Sequence, residues 1–469
     1  MNALLLAFCL AAPAPAAMTV DMSKPPKIGP MRSVKLPPRL EWKLKNGLSV
    51  VLVSDSRAPL LDVILAVPGG SAALPPEDAG LSGALAELLT EGTATKSSRQ
   101  IAEAAELFGG SLEASAESDS IEVRASALSD KADEMFALLS EVVRAPAFAE
   151  SEVALRRENM KEELAADRAE SDFLAGVTFY KKIFSGHPYA VTAPTDDSIA
   201  RVTRDRVVAA HKRLFTPQGS ILVLVGDISP QKAKEAVERY FGSWKGGDPV
   251  PNAPPVPVST GERTVYLLDR PKSSQVAYFL GNAAAREDNP SYFDLLVLNG
   301  VLGGSFSSRL VRDIRESKGY TYRIGSRLEH RLTGSIFKIR TPVRTEVAGE
   351  ALEAVLGHVK DIREHEPTSE EVDQAKAYLS GSFARELETL DGVAWAVLHQ
   401  KLMRLPENFY DNYVESIQAV TPASAKRAAL TFLRPEEMTI VAVGDAAKIR
   451  EILARFTKKP VVTVDIDGD

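Results

Sequence analysis

Apolar and polar positions first fall into a regular pattern near residue 40. Glu41-Trp42-Lys43-Leu44 and Leu48-Ser49-Val50-Val51-Leu52-Val53 flank Asn46-Gly47, which predicts two strands joined by a tight turn. An apolar run over 61–67 predicts a third strand. The period then lengthens, predicting helices over 80–90 and 99–108, the second closing at Gly109-Gly110. Alternation returns over Ser111–Ala116 and 121–127. Helical spacing follows over 131–144 and again over 150–167, where a long charged helix counts Leu155 and Leu164 among its apolar positions.

The same short unit occurs twice. Thr216-Pro217 leads into an apolar strand over 220–225, a Gly226-Asp227 turn and a helix over 230–240. Arg434-Pro435 leads into a strand over 438–443, Gly444-Asp445 and a helix ending near Phe456, about 218 residues later. Between the copies, 246–259 carries five prolines and has the composition of a linker. A chain of 469 residues exceeds one ordinary core. The expectation is an α+β protein of two homologous domains, 38–245 and 262–460, joined by 246–261 and followed by a tail, 461–469. Each domain is expected to be a mostly antiparallel sheet with helices packed on one side.

The N-terminus reads differently. Residues 4–10 are apolar and Ala14-Pro15-Ala16-Ala17 offers a cleavage site, so 1–17 reads as a secretory signal peptide, although no Lys or Arg precedes the run. Residues 18–37 are Pro-rich. Phe8 before Cys9 argues against a lipoprotein signal. Export, to the periplasm of a bacterium, is the expected localisation, and the mature chain would then hold no cysteine. No later segment reaches the length of a membrane span. The net charge of −7 gives no reason to expect a nucleic-acid partner.

The chemistry lies in Gly80-Leu81-Ser82-Gly83-Ala84-Leu85-Ala86-Glu87-Leu88-Leu89-Thr90-Glu91-Gly92-Thr93. An H-x-x-E-H helix sets two imidazoles one turn apart to share a zinc ion, beside a glutamate that takes a proton from bound water. This segment resembles the active-site helix of the pitrilysin/insulinase family, G-L-x-H-x-x-E-H-x-L-x-x-G-T, with the ligand histidines falling on Gly83 and Glu87 and the general base on Ala86. No two of His187, His211, His330, His358, His365 and His399 stand three or four residues apart. No metal site built by this chain is expected, and Glu87 is free to pair with a basic residue.

The resemblance covers nearly all of the mature chain. Glu163, 76 residues after Glu87, falls where the family's third zinc ligand sits and reads as a relic. Gly110, Ser111, Leu112, Glu113 and Ala114 resemble the turn and edge strand beside the active site, which implies a surface that binds peptide by β-addition. Gly186-His187-Pro188-Tyr189 resembles a further family segment. In the second half, Gly303-Gly304-Ser305-Phe306-Ser307-Ser308-Arg309-Leu310 and onward to Tyr322 resembles G-G-x-x-S-S-R-L-x-x-x-x-R-E-x-x-G-x-x-Y. Locally, Ser305 or Ser307 is expected to cap a helix that buries Leu310 and Ile314 and ends at Gly319, with Arg315 in the last turn and Tyr322 in the next strand. In the family this arginine and tyrosine act across a chamber on peptide held by the zinc-bearing half. The resemblance therefore implies a non-catalytic subunit that supplies Arg315 and Tyr322 in trans to a homologous H-x-x-E-H partner. Zinc is expected in that partner and no cofactor in this chain. The ligand is an unfolded peptide. The alternative is a catalytically inactive scaffold or peptide-binding protein, with a homodimer as its simplest assembly. An active hydrolase of another type is the third reading: no nucleophile–His–acid set can be placed from the sequence, though the members of such a set can lie far apart along a chain.

Overall fold

Two six-stranded sheets carry the fold. The computed structural model describes residues 33–256 and 261–469, so the expected leader, the Pro-rich stretch before Ser33 and linker residues 257–260 lie outside the described residues. The first sheet holds β1 (Leu40–Lys43), β2 (Ser49–Ser54), β3 (Leu60–Pro68), β4 (Ser111–Ala116), β5 (Ser120–Leu128) and β6 (Ile221–Gly226), in the order β1-β2-β6-β3-β5-β4. The second holds β7 (Thr264–Asp269), β8 (Gln275–Ala283), β9 (Gly325–Arg331), β10 (Gly334–Arg344), β11 (Thr439–Gly444) and β12 (Val462–Val464), in the order β12-β7-β11-β8-β10-β9. The two orders superimpose place by place. The strands of the sequence repeat, β6 and β11, are third in their sheets, and the edge strands β4 and β9 correspond. Both sheets are mixed: β2–β6, β7–β11 and β7–β12 pair in parallel and the other pairs are antiparallel.

Alternation decides which face each side chain serves. Val50 and Leu52 of β2 join Leu61, Val63 and Leu65 of β3 in a core covered by the first half's own helices. The second half builds its own core from Val276, Tyr278, Leu280, Leu295 and Ile440, among others. The opposite face of each sheet is closed by a helix lent from the other half. Helix Ser171–Ile183 lies on β8 and β11, where Leu174, Ala175 and Phe179 pack with Phe279, Val441 and Val443. Helix Leu390–Leu402 lies on β3 and β6. Each crossing helix is pinned at its start by an aspartate facing an arginine of the other half: Asp172 with Arg340, and Asp391 with Arg124. The pairs sit at matching places in the two homologous halves.

The long helix Glu150–Arg168 departs from the sequence reading in one respect. Its buried positions are Val153, Met160 and Leu164, one face at spacings of seven and four, while Leu155 lies off that face and is exposed.

Candidate functional site

Helix Leu81–Leu88 is buried almost all round. Leu81, Ser82, Ala84, Leu85, Ala86 and Leu88 are inside, and only Gly83 and Glu87 are not. These two stand one turn apart on one open face, and a Cβ built on Gly83 meets no atom within 4 Å. Ala86 is fully buried.

The position that the resemblance assigns to a metal is served by a side chain. Arg156, on the long helix, sets Nη1 2.9 Å from Glu87 Oε2. The same guanidinium donates from Nη1 to Glu163 Oε1 and from Nη2 to Glu163 Oε2, each at 2.8 Å. Glu87 and Glu163 thus converge, from two helices, on a permanent cation that the chain supplies itself. Arg156 is largely enclosed, with 14% of its side chain exposed, while both acids stay half in solvent. Burial pushes the Glu87 carboxyl above its usual range; Glu163 and Glu91 add to the rise and Arg156 opposes it. The residues present do not fit zinc. Two ligand positions carry no imidazole, both remaining acids are engaged, and among the described residues no three His, Cys, Asp or Glu side chains gather closely enough to hold a metal ion.

Beside this helix runs β4, the edge of the first sheet. Leu112, Ala114 and Ala116 pack inward, so Ser111, Glu113 and Ser115 occupy the other face. Gly110 is required at its start, because a Cβ there would fall 1.8 Å from Ser126 O. Beyond the far end of β4 opens a cavity of about 900 Å³, between the Glu117–Ser120 turn and β9. Several of its charged groups are already paired, such as Arg124 with Glu122 and His399 with Glu287. His399 also meets the Tyr410 hydroxyl at 2.8 Å.

In the second half, Arg315 and Tyr322 meet. The Arg315 guanidinium carbon lies 4.7 Å from the Tyr322 ring centre and 5.1 Å from that of Phe306. Leu310 and Ile314 are buried as expected, and Gly319 takes the left-handed backbone, φ 61°. Three local expectations are corrected. The segment Val311–Ser317 is wound as a π-helix. Neither Ser305 nor Ser307 caps it, since Ser305 Oγ donates back to Gly300 O. Tyr322 precedes β9 in an exposed loop, because the chain must turn at Gly319 before pairing begins at Gly325. Gly303 has to be glycine, as a Cβ would fall 2.6 Å from Ser326 N.

Two residues escaped the sequence reading. Arg156 precedes Glu163 by seven residues, two helical turns, and that shared face was the available signal. Phe306 carried none, because its neighbour Arg315 stands nine residues further along and only the folded turn brings the two together.

Comparison with known proteins agrees with this geometry. The family described as "Insulinase (Peptidase family M16)" matches residues 49–190, and "Peptidase M16 inactive domain" matches 201–379. A Bacillus subtilis protein named uncharacterized zinc protease YmxG is 25% identical over 74% of this chain and 84% of its own. A Helicobacter pylori protein named non-peptidase homolog YmxG is 23% identical over 79% and 86%. The crystal structure of a peptidase M16 inactive domain from Pseudomonas fluorescens matches with TM-score 0.82 and 24% identity, covering 87% of this chain and 98% of that one. A Helicobacter pylori protease structure matches with TM-score 0.81 and 21% identity, covering 87% and 100%. The chain is a homologue of the pitrilysin/insulinase family, peptidase family M16, in a form without its zinc motif.

Proposed function

We propose that this zinc-less member of the insulinase family is a catalytically inactive peptide-binding protein, which holds extended peptide along β4 without cutting it. The observation that carries the reading is the Glu87–Arg156–Glu163 cluster, which joins the two helices through a guanidinium. A guanidinium can order these helices, but it cannot polarise a carbonyl and activate water together as a metal ion does. The neighbouring strand β4 is an edge of its sheet with no further strand paired to it among the described residues, and the cavity at its end leaves room for the rest of a bound segment. Binding through backbone groups tolerates varied sequence, so the ligand class is unfolded peptide. Fluorescence anisotropy with a labelled unstructured peptide tests this. A peptide N-methylated at alternate amides is expected to bind at least tenfold more weakly than the unmodified one; equal binding would remove the edge strand from the account.

A second reading has its own support. Arg315 and Tyr322 come together at the surface, and Tyr322 is 84% exposed. That arrangement suits a pair offered across a chamber to a homologous subunit that carries zinc. Mixing with such a subunit would then raise peptide hydrolysis, and the gain would disappear in R315A and Y322F. Unchanged hydrolysis on mixing leaves the peptide-binding reading alone. Export to the periplasm belongs to the same proposal, since it places the protein where unfolded polypeptide arrives after translocation.

A further inference from the structure

The Gly186-His187-Pro188-Tyr189 segment has no part in the site described above, yet three stretches of chain converge on it. Tyr189 is buried, and its hydroxyl donates to Asp119 Oδ1 at 2.6 Å. Asp119 lies in the Glu117–Ser120 turn that follows β4. Its other oxygen, Oδ2, accepts from Leu332 N at 2.9 Å, and Thr333 Oγ1 donates to the Tyr189 hydroxyl at 3.0 Å. Leu332 and Thr333 form the turn between β9 and β10, the counterpart in the second half of the turn after β4. Arg331, the last residue of β9, donates to Ser118 Oγ of that first turn and, through Nη2, to Glu329 Oε1 at 2.9 Å. Its guanidinium carbon lies 5.0 Å from the Tyr189 ring centre and 5.4 Å from that of Phe184. His187 fixes the third stretch. Pro254 O can only accept, so the His187 Nε2 2.7 Å away carries the ring proton, and Nδ1 accepts from Tyr189 N at 3.1 Å. Val256, also in the linker, donates from its backbone to Thr333 O at 3.1 Å. Tyr189 and His187 are both buried, so removing a partner from either leaves an unpaired polar group out of water.

The turn that this network holds stands between β4 and the cavity of about 900 Å³, which Ser118, Asp119, Arg331 and Leu332 also line. We propose that Tyr189 is a positioning residue for peptide binding: through Asp119 it fixes the turn as a sill that leads a peptide from β4 into the cavity. The inference rests on the peptide-binding reading and divides its site into an edge-strand part and a cavity part, joined at Asp119. Tyr189 is buried and touches no peptide itself. It acts on the ligand only through the turn, with the second half's Leu332 and Thr333 bracing the same turn from the other side.

The test uses the full chain and two labelled unstructured peptides. One has six residues, the length of β4, and the other about twelve, whose added residues extend about 20 Å past the turn. The longer peptide is expected to bind the wild type about tenfold tighter than the shorter. Y189F removes the hydroxyl and is expected to take away most of that advantage, while the six-residue peptide binds as before. D119N gives up one of two acceptor oxygens and is expected to do the same. A merely structural role would weaken both peptides in proportion, and that result overturns the inference. So does a wild type that binds the two peptides equally, which leaves binding along β4 intact. Hydrogen exchange on the wild type adds a check that needs no variant. The Leu332 amide, held by Asp119, is expected to exchange as slowly as the paired amides of β10. Exchange at the rate of an open loop overturns the fixed turn. If neither peptide binds, the peptide-binding reading falls and this inference with it.

Discussion

A guanidinium and a zinc ion both draw carboxylates together, but only the guanidinium is tethered to the chain, planar and singly charged. Arg156 therefore makes the junction of two helices independent of metal supply. Removing it should leave Glu87 and Glu163 facing each other without a counter-charge. R156M is expected to lose about 1–2 kcal/mol of stability in urea, a modest figure because both acids are half exposed. The pH dependence of Glu87 runs in the less familiar direction. Burial raises its folded pKa, so the folded state holds this proton more tightly than the unfolded state does. Its contribution to stability is present at low pH and is lost as pH rises past the ordinary value of 4.5 and through the raised one. E87Q cannot ionise. The stability of the wild type relative to E87Q should fall over that window and then level off, as read from urea midpoints at a series of pH values. The loss of the zinc ligands was legible at this scale from identities alone, through Gly83, Ala86 and Glu87. The replacement was not, because a charged helix face offers many arginines and only the packing of two helices selects Arg156.

At the scale of elements, alternation and turn residues located the strands, and the Gly226-Asp227 and Gly444-Asp445 copies identified matching places in two sheets. The crossing helices were hidden. Ser171–Ile183 serves a sheet whose strands begin about a hundred residues later, and periodicity tells which face of a helix is apolar but not what that face covers. Phe179 is fully buried there, with its ring 5.8 Å from Phe279. F179A is expected to cost about 3–5 kcal/mol. It should also weaken both halves together in a single calorimetric transition, since the helix belongs to one half and its contacts to the other. Two separated transitions would show that the exchange of helices does not couple the halves. The same logic accounts for Tyr322. Sequence placed it in the strand that follows the helix end at Gly319, whereas pairing begins only at Gly325 and leaves the ring in solvent.

For the whole molecule, the duplication yields two sheets of one topology with different surroundings at corresponding edges. Beside β4 lies the helix that has exchanged its ligands for Gly83, Ala86 and Glu87. Beside β9 lies the glycine turn of Gly300–Gly304. Loss of the metal positions in the first half, beside an edge strand of its sheet, is the ground for the proposed reading of a protein that holds peptide and leaves it whole. Native mass spectrometry of the full chain, incubated with an unstructured peptide with and without equimolar zinc, tests this most directly. The account expects one added mass, the intact peptide, in equal amount under both conditions and with no zinc adduct. A stoichiometric zinc adduct accompanied by peptide fragments would contradict it.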